Sequence, residues 1–392
     1  MSLPIVPTAS FFLVAGVMGT RPLVPLLAIE LGIGVAEIGV LVAVFAMIPL
    51  LAAAVAGSWM DRHGVVRPLL LGAIVTALGL ALPFALGGRV GLYLSQLVAG
   101  TGFTLFILAA QKHSGRAAPG LSRERSVAVF SMGVALGSLA GPLLGGPGGD
   151  HLGYATTFAI LGGVALVAAS LVLPLMAGMR PTPLPQNGEP DKSGHNPLRV
   201  FGYNKYMARA FLVSSLILIG KDMYVAYFPL YAVQAGMTAS WIGIVVAMHN
   251  VGGVIMRFFM VSLVIRFGKN LVIITSVIGA GVCYLLLPLT RDPLALAAIS
   301  IAMGFGLGLG QPLSITRTIN LSPPHKVGEV LGIRLACNRL TQFVTPLAIG
   351  GASIFAGVSG IFFLIGAVLV AGAARLKVPA EAESAAPLRP DD

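Results

Sequence analysis

The stretch LLLGAIVTALGLALPFALG, residues 69–87, contains no charged side chain and is dominated by leucine and alanine. A helix needs ~20 apolar residues to cross the hydrocarbon core of a bilayer, which is about 30 Å thick. Residues 354–374 form a second uncharged run of similar length. These two stretches predict transmembrane helices, and much of the remaining chain follows the same pattern.

The composition agrees with this interpretation. Hydrophobic residues make up 56% of the 392 residues and charged residues only 10%, and the mean hydropathy is +0.92. About a quarter of the residues in soluble domains are charged, so a soluble protein is excluded. A membrane-spanning barrel would show ~10-residue segments of alternating polarity, whereas the apolar runs here are continuous. The sequence therefore predicts an all-α membrane protein.

We predict twelve transmembrane helices, six on each side of a polar segment. They are residues 9–30, 36–58, 68–88, 90–111, 126–147 and 153–178, followed by 210–234, 239–264, 270–289, 293–316, 328–352 and 354–374. Proline and polar residues between positions 181 and 191 do not suit a membrane span and identify a linker. The predicted organisation is an N-terminal six-helix bundle (1–179), a cytoplasmic linker (180–209), a C-terminal six-helix bundle (210–378) and a disordered cytoplasmic tail (379–392).

The distribution of Lys and Arg predicts the orientation. With both termini in the cytoplasm, 18 of the 25 Lys and Arg residues fall in cytoplasmic loops and the tail, two fall on the opposite side, and five lie inside spans. Cytoplasmic loops of membrane proteins carry such an excess. We therefore expect a multi-pass protein of the bacterial inner membrane with both termini cytoplasmic. The net charge of +11 requires no nucleic-acid partner.

The loop between the second and third spans reads Gly57-Ser-Trp-Met-Asp61-Arg62-His-Gly64-Val-Val-Arg67. Gly57 permits close helix approach, and Gly64 suits a tight turn in which a side chain would clash. Asp61 is placed to meet a helix N-terminus or an arginine across the interface between the halves. This motif closely resembles the loop motif of the major facilitator family. The resemblance implies two six-helix bundles around a central cavity, with this loop as a conformational latch.

A weaker copy of that loop follows the eighth span. It reads Arg266-Phe-Gly268-Lys269 and has Ile265 where the acidic residue would stand. Internal repeats are typical of secondary transporters. The copy therefore supports a repeat-built protein, although its latch lacks the carboxylate.

The fifth span contains Gly137-Ser-Leu-Ala-Gly141-Pro142-Leu-Leu-Gly145-Gly146. Small residues four apart let helix backbones pack closely, and proline bends the span. The spacing resembles the antiporter motif of the twelve-helix drug:proton exporters of the major facilitator family, which implies export. That branch carries an arginine four residues before a glycine in the fourth span, where this chain has Gln96 before Gly100. The arginine's role in proton relay is therefore not carried over.

Charged residues inside the spans are the candidates for a binding site, because charge in the membrane interior is costly and generally faces a wet cavity. There are six well within the predicted spans, namely Arg21, Lys221, Asp222, Arg257, Arg334 and Arg339. Five of them are cationic, and an excess of arginine and lysine calls for a counter-charge. Carboxylate and phosphate groups match the planar guanidinium fork, so the sequence predicts an anion in the cavity.

Neighbouring residues extend this candidate site. Pro22 and Pro25 should bend the first span beside Arg21, and Tyr224 follows Lys221 at helical spacing and offers a hydroxyl on a flat apolar ring. The candidates for substrate binding are Arg21, Lys221, Tyr224, Arg257, Arg334, Asn338 and Arg339. Asp222 is the candidate for proton coupling, since it is the carboxylate deep inside a span.

Structural roles stay open for several of these residues. Lys221 and Asp222 can also form a structural ion pair. Arg257 and Arg339 can extend to the membrane interface or hold the halves together, and Tyr224 can belong to an aromatic belt. The cluster as a whole is more informative than any member.

Other classes of function lack support in the sequence. The two cysteines, Cys283 and Cys337, lie in apolar spans, so neither a disulfide framework nor a metal site is expected. Glycine at every second position from 304 to 310 is followed by no Lys-Ser/Thr pair and does not form a nucleotide-binding loop. We find no nucleophile and base at a suitable spacing, so we expect no enzyme, no catalytic residue and no cofactor.

The sequence thus predicts a secondary active transporter that works by alternating access. Its expected activity is proton-coupled export of a small anionic or amphipathic organic molecule, such as a drug-like compound or a metal-chelating metabolite. Proton-coupled uptake of an organic anion and flipping of a lipid-linked molecule remain as alternatives. The expected partners are the small-molecule substrate, protons and membrane lipids, and we expect a monomer.

Overall fold

The computed structural model of the chain describes residues 5–114, 123–177, 200–323 and 326–379, without the side chains of 52–59, 61–63, 123, 124, 176, 177 and 328. Its regular elements are helical. Before the linker lie α1 (Ile5–Thr20), α2 (Leu23–Glu30), α3 (Val35–His63), α4 (Val66–Leu86), α5 (Gly88–Ser114), α6 (Arg123–Leu152) and α7 (Tyr154–Ala177). After it lie α8 (Val200–Tyr203), α9 (Met207–Gln234), α10 (Ala239–Phe267), α11 (Lys269–Leu286), a 3₁₀ turn (Leu287–Leu289), α12 (Pro293–Asn320) and α13 (Val327–Ala373).

Ten helical stretches within the described residues are long and apolar enough to cross a membrane, which confirms the predicted all-α membrane protein. The last of them belongs to α13, whose 47 residues are interrupted by a non-helical backbone at Gly357 (φ 64°, ψ −178°). The predicted number of twelve would require α13 to be counted as two spans, divided at Gly357, and α3 to be counted as a further span. The described apolar part of α3 is Val35–Leu51.

Several helices extend beyond the predicted spans. α3 continues to His63 rather than residue 58, α6 continues to Leu152 rather than 147, and α9 begins at Met207 rather than 210. The reason is that helical hydrogen bonding continues through the headgroup layer, which adds about 10–15 Å to the hydrocarbon thickness. Of the predicted linker (180–209), residues 180–199 fall outside the described part of the chain, and α8 occupies part of the remainder.

The packing follows the two halves of the sequence, here called the N-half (α1–α7) and the C-half (α9–α13). Within the N-half, α1 packs on α6 and α7, and α4 packs on α5 and α7. Within the C-half, α12 packs on α9, α10 and α11. The halves meet where α6 packs on α10 and where α3 packs on α13.

The first span is broken at the predicted position. α1 ends at Thr20, Pro22 precedes α2, and Arg21 lies in the turn between them. Proline has no N–H to donate and clashes with the preceding turn of a helix, which explains the interruption beside Pro22, whereas Pro25 lies inside α2. The break sets the Arg21 side chain in the interior of the bundle.

Gly64 and Gly268 end the corresponding helices α3 and α10 in the same way. Both have φ of 79°, and their N–H groups bond the carbonyls of Met60 and Val264. A positive φ favours glycine because it has no Cβ. The prediction that Gly64 occupies a tight turn is confirmed, and the two loops share a backbone conformation as expected of a repeat.

Candidate substrate-binding site

A cavity of about 210 Å³ lies between the halves and is lined by α1, α3, α5, α6, α9, α13 and the turn at Arg21. Its walls are mostly apolar, with rings from Phe45 and Phe103. The polar lining consists of Arg21, Ser138, Lys221, Asp222, Arg339 and Gln342. Three cations and one carboxylate leave two positive charges in excess, so the structure brings together the core of the predicted anion site.

Arg21 is fixed over an aromatic ring. Its guanidinium carbon lies 4.0 Å from the centroid of the Phe45 ring, which is a favourable cation–π geometry. The buried Nε of Arg21 has no hydrogen-bond partner among the described residues. A buried donor without a partner is energetically costly, so this guanidinium has bonding capacity left for a ligand.

Asp222 belongs to a chain of hydrogen bonds that links α9 to α13. Nε2 of Gln342 donates to the Asp222 carboxylate at 2.8 Å, and a terminal nitrogen of Arg339 donates to Oε1 of Gln342 at 2.9 Å. The carboxylate also interacts electrostatically with Arg21, Lys221 and Arg339. Asp222 is therefore the internal counter-charge of the three cations.

Lys221 lines a second, smaller cavity as well. This cavity of about 100 Å³ lies between α6, α9, α10 and α12, and its polar lining includes His249, Asn250, Arg257 and Gln311. Although Lys221 lies in the middle of α9, its side chain is exposed, because it borders both cavities. Arg257 donates from Nε to the carbonyl of Gly308 at 3.3 Å.

Three other predicted binding residues connect helices instead of lining either cavity. Tyr224 is fully buried, with its hydroxyl 2.6 Å from that of Ser300. Arg334 donates to Gln311 at 3.0 Å, and Asn338 accepts a hydrogen bond from Ser214 at 2.7 Å. The structure therefore places Tyr224, Arg334 and Asn338 in contacts among α9, α12 and α13.

The predicted antiporter motif forms a packing surface on two sides of α6. A Cβ at Gly137, Gly141 or Gly145 would collide with backbone atoms of α1, and one at Gly146 would collide with α10 at Ala239. Because Gly146 and Pro142 both face α10 across the boundary, the motif lies where the halves meet. Of the predicted latch, Arg67 is exposed, whereas the side chains of Asp61 and Arg62 and position Gly57 lie outside the described set.

Asp150, at the end of α6, also crosses this boundary. Its carboxylate accepts hydrogen bonds from the backbone N–H groups of Ala239 and Ser240, both at 2.8 Å. The N-cap of α10, Thr238, accepts from Trp241 N–H at 3.4 Å. A helix N-terminus has unpaired N–H groups and favours negative charge, so a residue of the N-half caps a helix of the C-half.

Comparison with known proteins identifies the family. The family model of the Major Facilitator Superfamily matches residues 8–259 and 210–391. The chain belongs to the Major Facilitator Superfamily. An uncharacterized MFS-type transporter of Methanocaldococcus jannaschii is 22% identical over 364 residues, which cover 90% of this chain and 91% of that protein.

Solved structures of the superfamily share this fold. The nucleoside transporter NupG is 12% identical with a TM-score of 0.78, over 97% of this chain and 100% of NupG. A POT family transporter in complex with 5-aminolevulinic acid is 16% identical with a TM-score of 0.75, over 95% and 94% of the two chains. A bacterial homologue of the lysosomal transporter Spinster, inward-facing and unoccupied, is 16% identical with a TM-score of 0.70.

Ser138 and Gln342 line the larger cavity, and neither they nor Asp150 and Arg317 are among the predicted site residues. Asp150 went unnoticed because its partners lie 89 and 90 residues away and nothing in the local sequence marks them. Arg317 was counted among the cytoplasmic loop residues, yet it is fully buried and donates to Asn270 at 2.6 Å and to the Leu376 carbonyl at 3.0 Å. Its charge and its position beyond the predicted span suit a loop, whereas the structure packs it against α11 and the segment after α13.

Proposed function

We propose that this member of the superfamily is a secondary active transporter of a small organic anion, or of an amphipathic molecule with an anionic group. The observation that carries the proposal is the meeting of Arg21, Lys221 and Arg339 with the single carboxylate of Asp222 in one cavity between the halves. The cavity's volume of about 210 Å³ suits a small molecule.

Charge balance is the physical reason for an anionic substrate. Uncompensated charges inside a membrane protein are unfavourable, and Asp222 offsets only one of three cations. A carboxylate or phosphate group would neutralise the excess, and it would accept hydrogen bonds in the bidentate geometry that guanidinium offers. The apolar wall around Phe45 and Phe103 would accommodate the rest of an amphipathic ligand.

Alternating access requires the contacts between the halves to separate. Asp150 joins α6 to α10, and Gly39 of α3 packs on the backbone of Pro346 and Gly350 in α13. These contacts lie at the end of the bundle opposite the one predicted to face the cytoplasm. We propose that they close the outer side, and that their opening exposes the cavity there.

The antiporter motif of α6 supports export of the substrate, driven by proton entry. In this proposal a proton and the substrate bind in turn, and Asp222 carries the proton. The packing of Gly137, Gly141, Pro142, Gly145 and Gly146 between α1 and α10 is consistent with a role in closing the outer side.

Proton-coupled uptake is a second candidate, and the position of Asp222 favours it. Because Asp222 shares the cavity with three cations, protonating it would raise the excess from two positive charges to three. An anion would then bind more tightly, and by reciprocity a bound anion would raise the affinity of Asp222 for the proton. Two ligands that raise each other's affinity are bound and transported together, which corresponds to symport.

Ligand binding by the purified protein tests the proposal. Thermal stability would be recorded against carboxylates, phosphate esters and cationic drugs, since a ligand of the native state raises stability by mass action. We expect stabilisation by anions. We expect Arg21→Ala to weaken it tenfold or more, as for loss of a charged hydrogen bond, with partial recovery in Arg21→Lys. Arg291→Ala, at an exposed loop position, is the control.

The pH dependence separates the two directions. Under symport, anion affinity rises as pH falls, and Asp222→Asn binds tightly at every pH. Under antiport, the affinity of the native protein for the anion decreases as pH falls, because proton and substrate compete. Stabilisation by cationic drugs alone, or anion binding unchanged in Arg21→Ala, would contradict an anion site.

A further inference from the structure

A separate basic pocket lies at the end of the bundle predicted to face the cytoplasm. It has a volume of about 400 Å³ and is formed where α9 begins and α13 ends. Its lining is Ala208, Arg209, Leu212, Ala374, Arg375 and Lys377. Half of these residues are cationic, half are apolar, and none is acidic.

The segment after α13 holds two of the cations in place. Leu376 and Val378 are fully buried, whereas Arg375 and Lys377 between and beside them are exposed. Arg375 lies in the turn that ends α13, where Leu376 N–H bonds the Ala373 carbonyl, and the two buried side chains pack on the protein while the two cations face outward. The side chains of Arg375 and Lys377 are therefore displayed by a backbone that is itself fixed.

Hydrogen bonds anchor that backbone to three helices. Buried Arg317 of α12 donates to the Leu376 carbonyl at 3.0 Å, and Asn270 of α11 accepts from Val378 N–H at 3.1 Å. Arg209 of α9 donates to the Lys377 carbonyl. The cationic rim is thus organised in advance, so little conformational entropy is lost when a ligand binds.

Arg209 keeps donors for a ligand as well. One of its terminal nitrogens binds the Lys377 carbonyl, and its guanidinium carbon lies 5.0 Å from the Tyr206 ring centroid. A guanidinium has five N–H donors, so most of them are left. Together with Arg375 and Lys377, Arg209 offers a site for a group with several anionic oxygens.

We propose that this pocket binds the phosphate headgroup of an anionic phospholipid of the surrounding leaflet. The pocket lies within a few residues of Met207 and Ala373, where the spanning helices end, which is the depth of lipid phosphates. Basic pockets between helices on the cytoplasmic side suit such headgroups. The apolar half, Ala208, Leu212 and Ala374, gives the acyl chains a surface that a soluble phosphate would leave unused.

Native mass spectrometry of the detergent-purified full chain tests this assignment. The probes are phosphatidylglycerol, phosphatidylcholine and glycerol 3-phosphate, the last being a phosphate without acyl chains. We expect phosphatidylglycerol to bind in preference to the other two. A basic residue near an anionic surface contributes enough to change binding roughly fivefold, so Arg375→Gln and Lys377→Gln should each weaken binding by about that factor.

Arg266→Gln is the matched control, because Arg266 is exposed at the same end and does not line the pocket. It should bind phosphatidylglycerol as the native chain does. Equal binding by the native chain and both pocket variants would overturn the proposal, as would an equal loss in the control. Glycerol 3-phosphate binding as tightly as phosphatidylglycerol would reassign the pocket to a soluble phosphate compound. Both pocket substitutions affect exposed side chains, and lipid-free thermal stability equal to that of the native chain would show that folding is intact.

Discussion

Replacing Asp150 by alanine should favour opening of the outer side. The carboxylate accepts two N–H groups at 2.8 Å across the boundary between the halves. When α6 and α10 separate, water can satisfy both partners, so the interaction stabilises only the closed arrangement. The substitution should therefore change the conformational equilibrium as well as the stability.

The magnitude follows from helix capping. Removing an N-cap acceptor costs about 0.5–2 kcal/mol, and the lower half of that range applies because Asp150 is exposed and its charge is screened by solvent. A shift of about 1 kcal/mol corresponds to a roughly fivefold change in the ratio of outward-open to outward-closed molecules.

Spin labels at the outer end would measure this ratio. Leu86 of α4 and Leu294 of α12 lie at the outer ends of the two halves, and they are 57% and 69% exposed. Both would be replaced by cysteine in a chain with Cys283→Ala and Cys337→Ala. Pulsed dipolar spectroscopy should show a larger fraction of long distances in Asp150→Ala.

Asp292 provides a matched control. It is also an aspartate that caps a helix at the outer end, but it accepts from Ala295 N–H of its own helix, at 2.8 Å. Asp292→Ala should lower stability and leave the distance distribution unchanged. If Asp150→Ala showed the distance distribution of the native protein, or if both variants shifted that distribution equally, the role of Asp150 in holding the outer side closed would be refuted.

Two further predictions concern packing. Arg317→Ala should lower the free energy of unfolding by about 2–4 kcal/mol, because it leaves the buried Leu376 carbonyl without its side-chain donor and removes one of the two donors to Asn270; thermal unfolding would measure the loss, and exposed Arg375→Ala should change little. Gly145→Ala should disturb packing of α6 on α1, where the added Cβ meets the backbone of Gly19, whereas Gly163→Ala meets no atom within 4 Å. Transport or ligand binding that is equal in the two glycine variants would show that close approach of α1 and α6 is dispensable.

The sequence predicts the helices and the depth of the charges well. Apolar runs identify spans because the bilayer sets their length, and Pro22 after Arg21 predicts where the first span breaks. Arg21, Lys221, Asp222 and Arg339 share a cavity because each is a charge at membrane depth, and such charges avoid lipid.

The direction of each side chain around its helix is harder to predict. In a soluble helix the polar face marks the solvent, but in the membrane the lipid-facing and packed faces are equally apolar. Lys221 and Tyr224 are three residues apart on α9, yet Lys221 borders the cavities and Tyr224 packs against Ser300 of α12. The predicted depth of a residue in the membrane therefore does not distinguish Lys221, which faces the cavities, from Tyr224, which connects two helices.

The shared position of Lys221 bears on how many substrate molecules occupy the protein in one cycle. Lys221 lines both cavities, and a single positive charge can neutralise an anion in only one of them at a time. An anion in the larger cavity would therefore reduce the affinity of the smaller one. This competition for Lys221 would favour a stoichiometry of one anion per transport cycle.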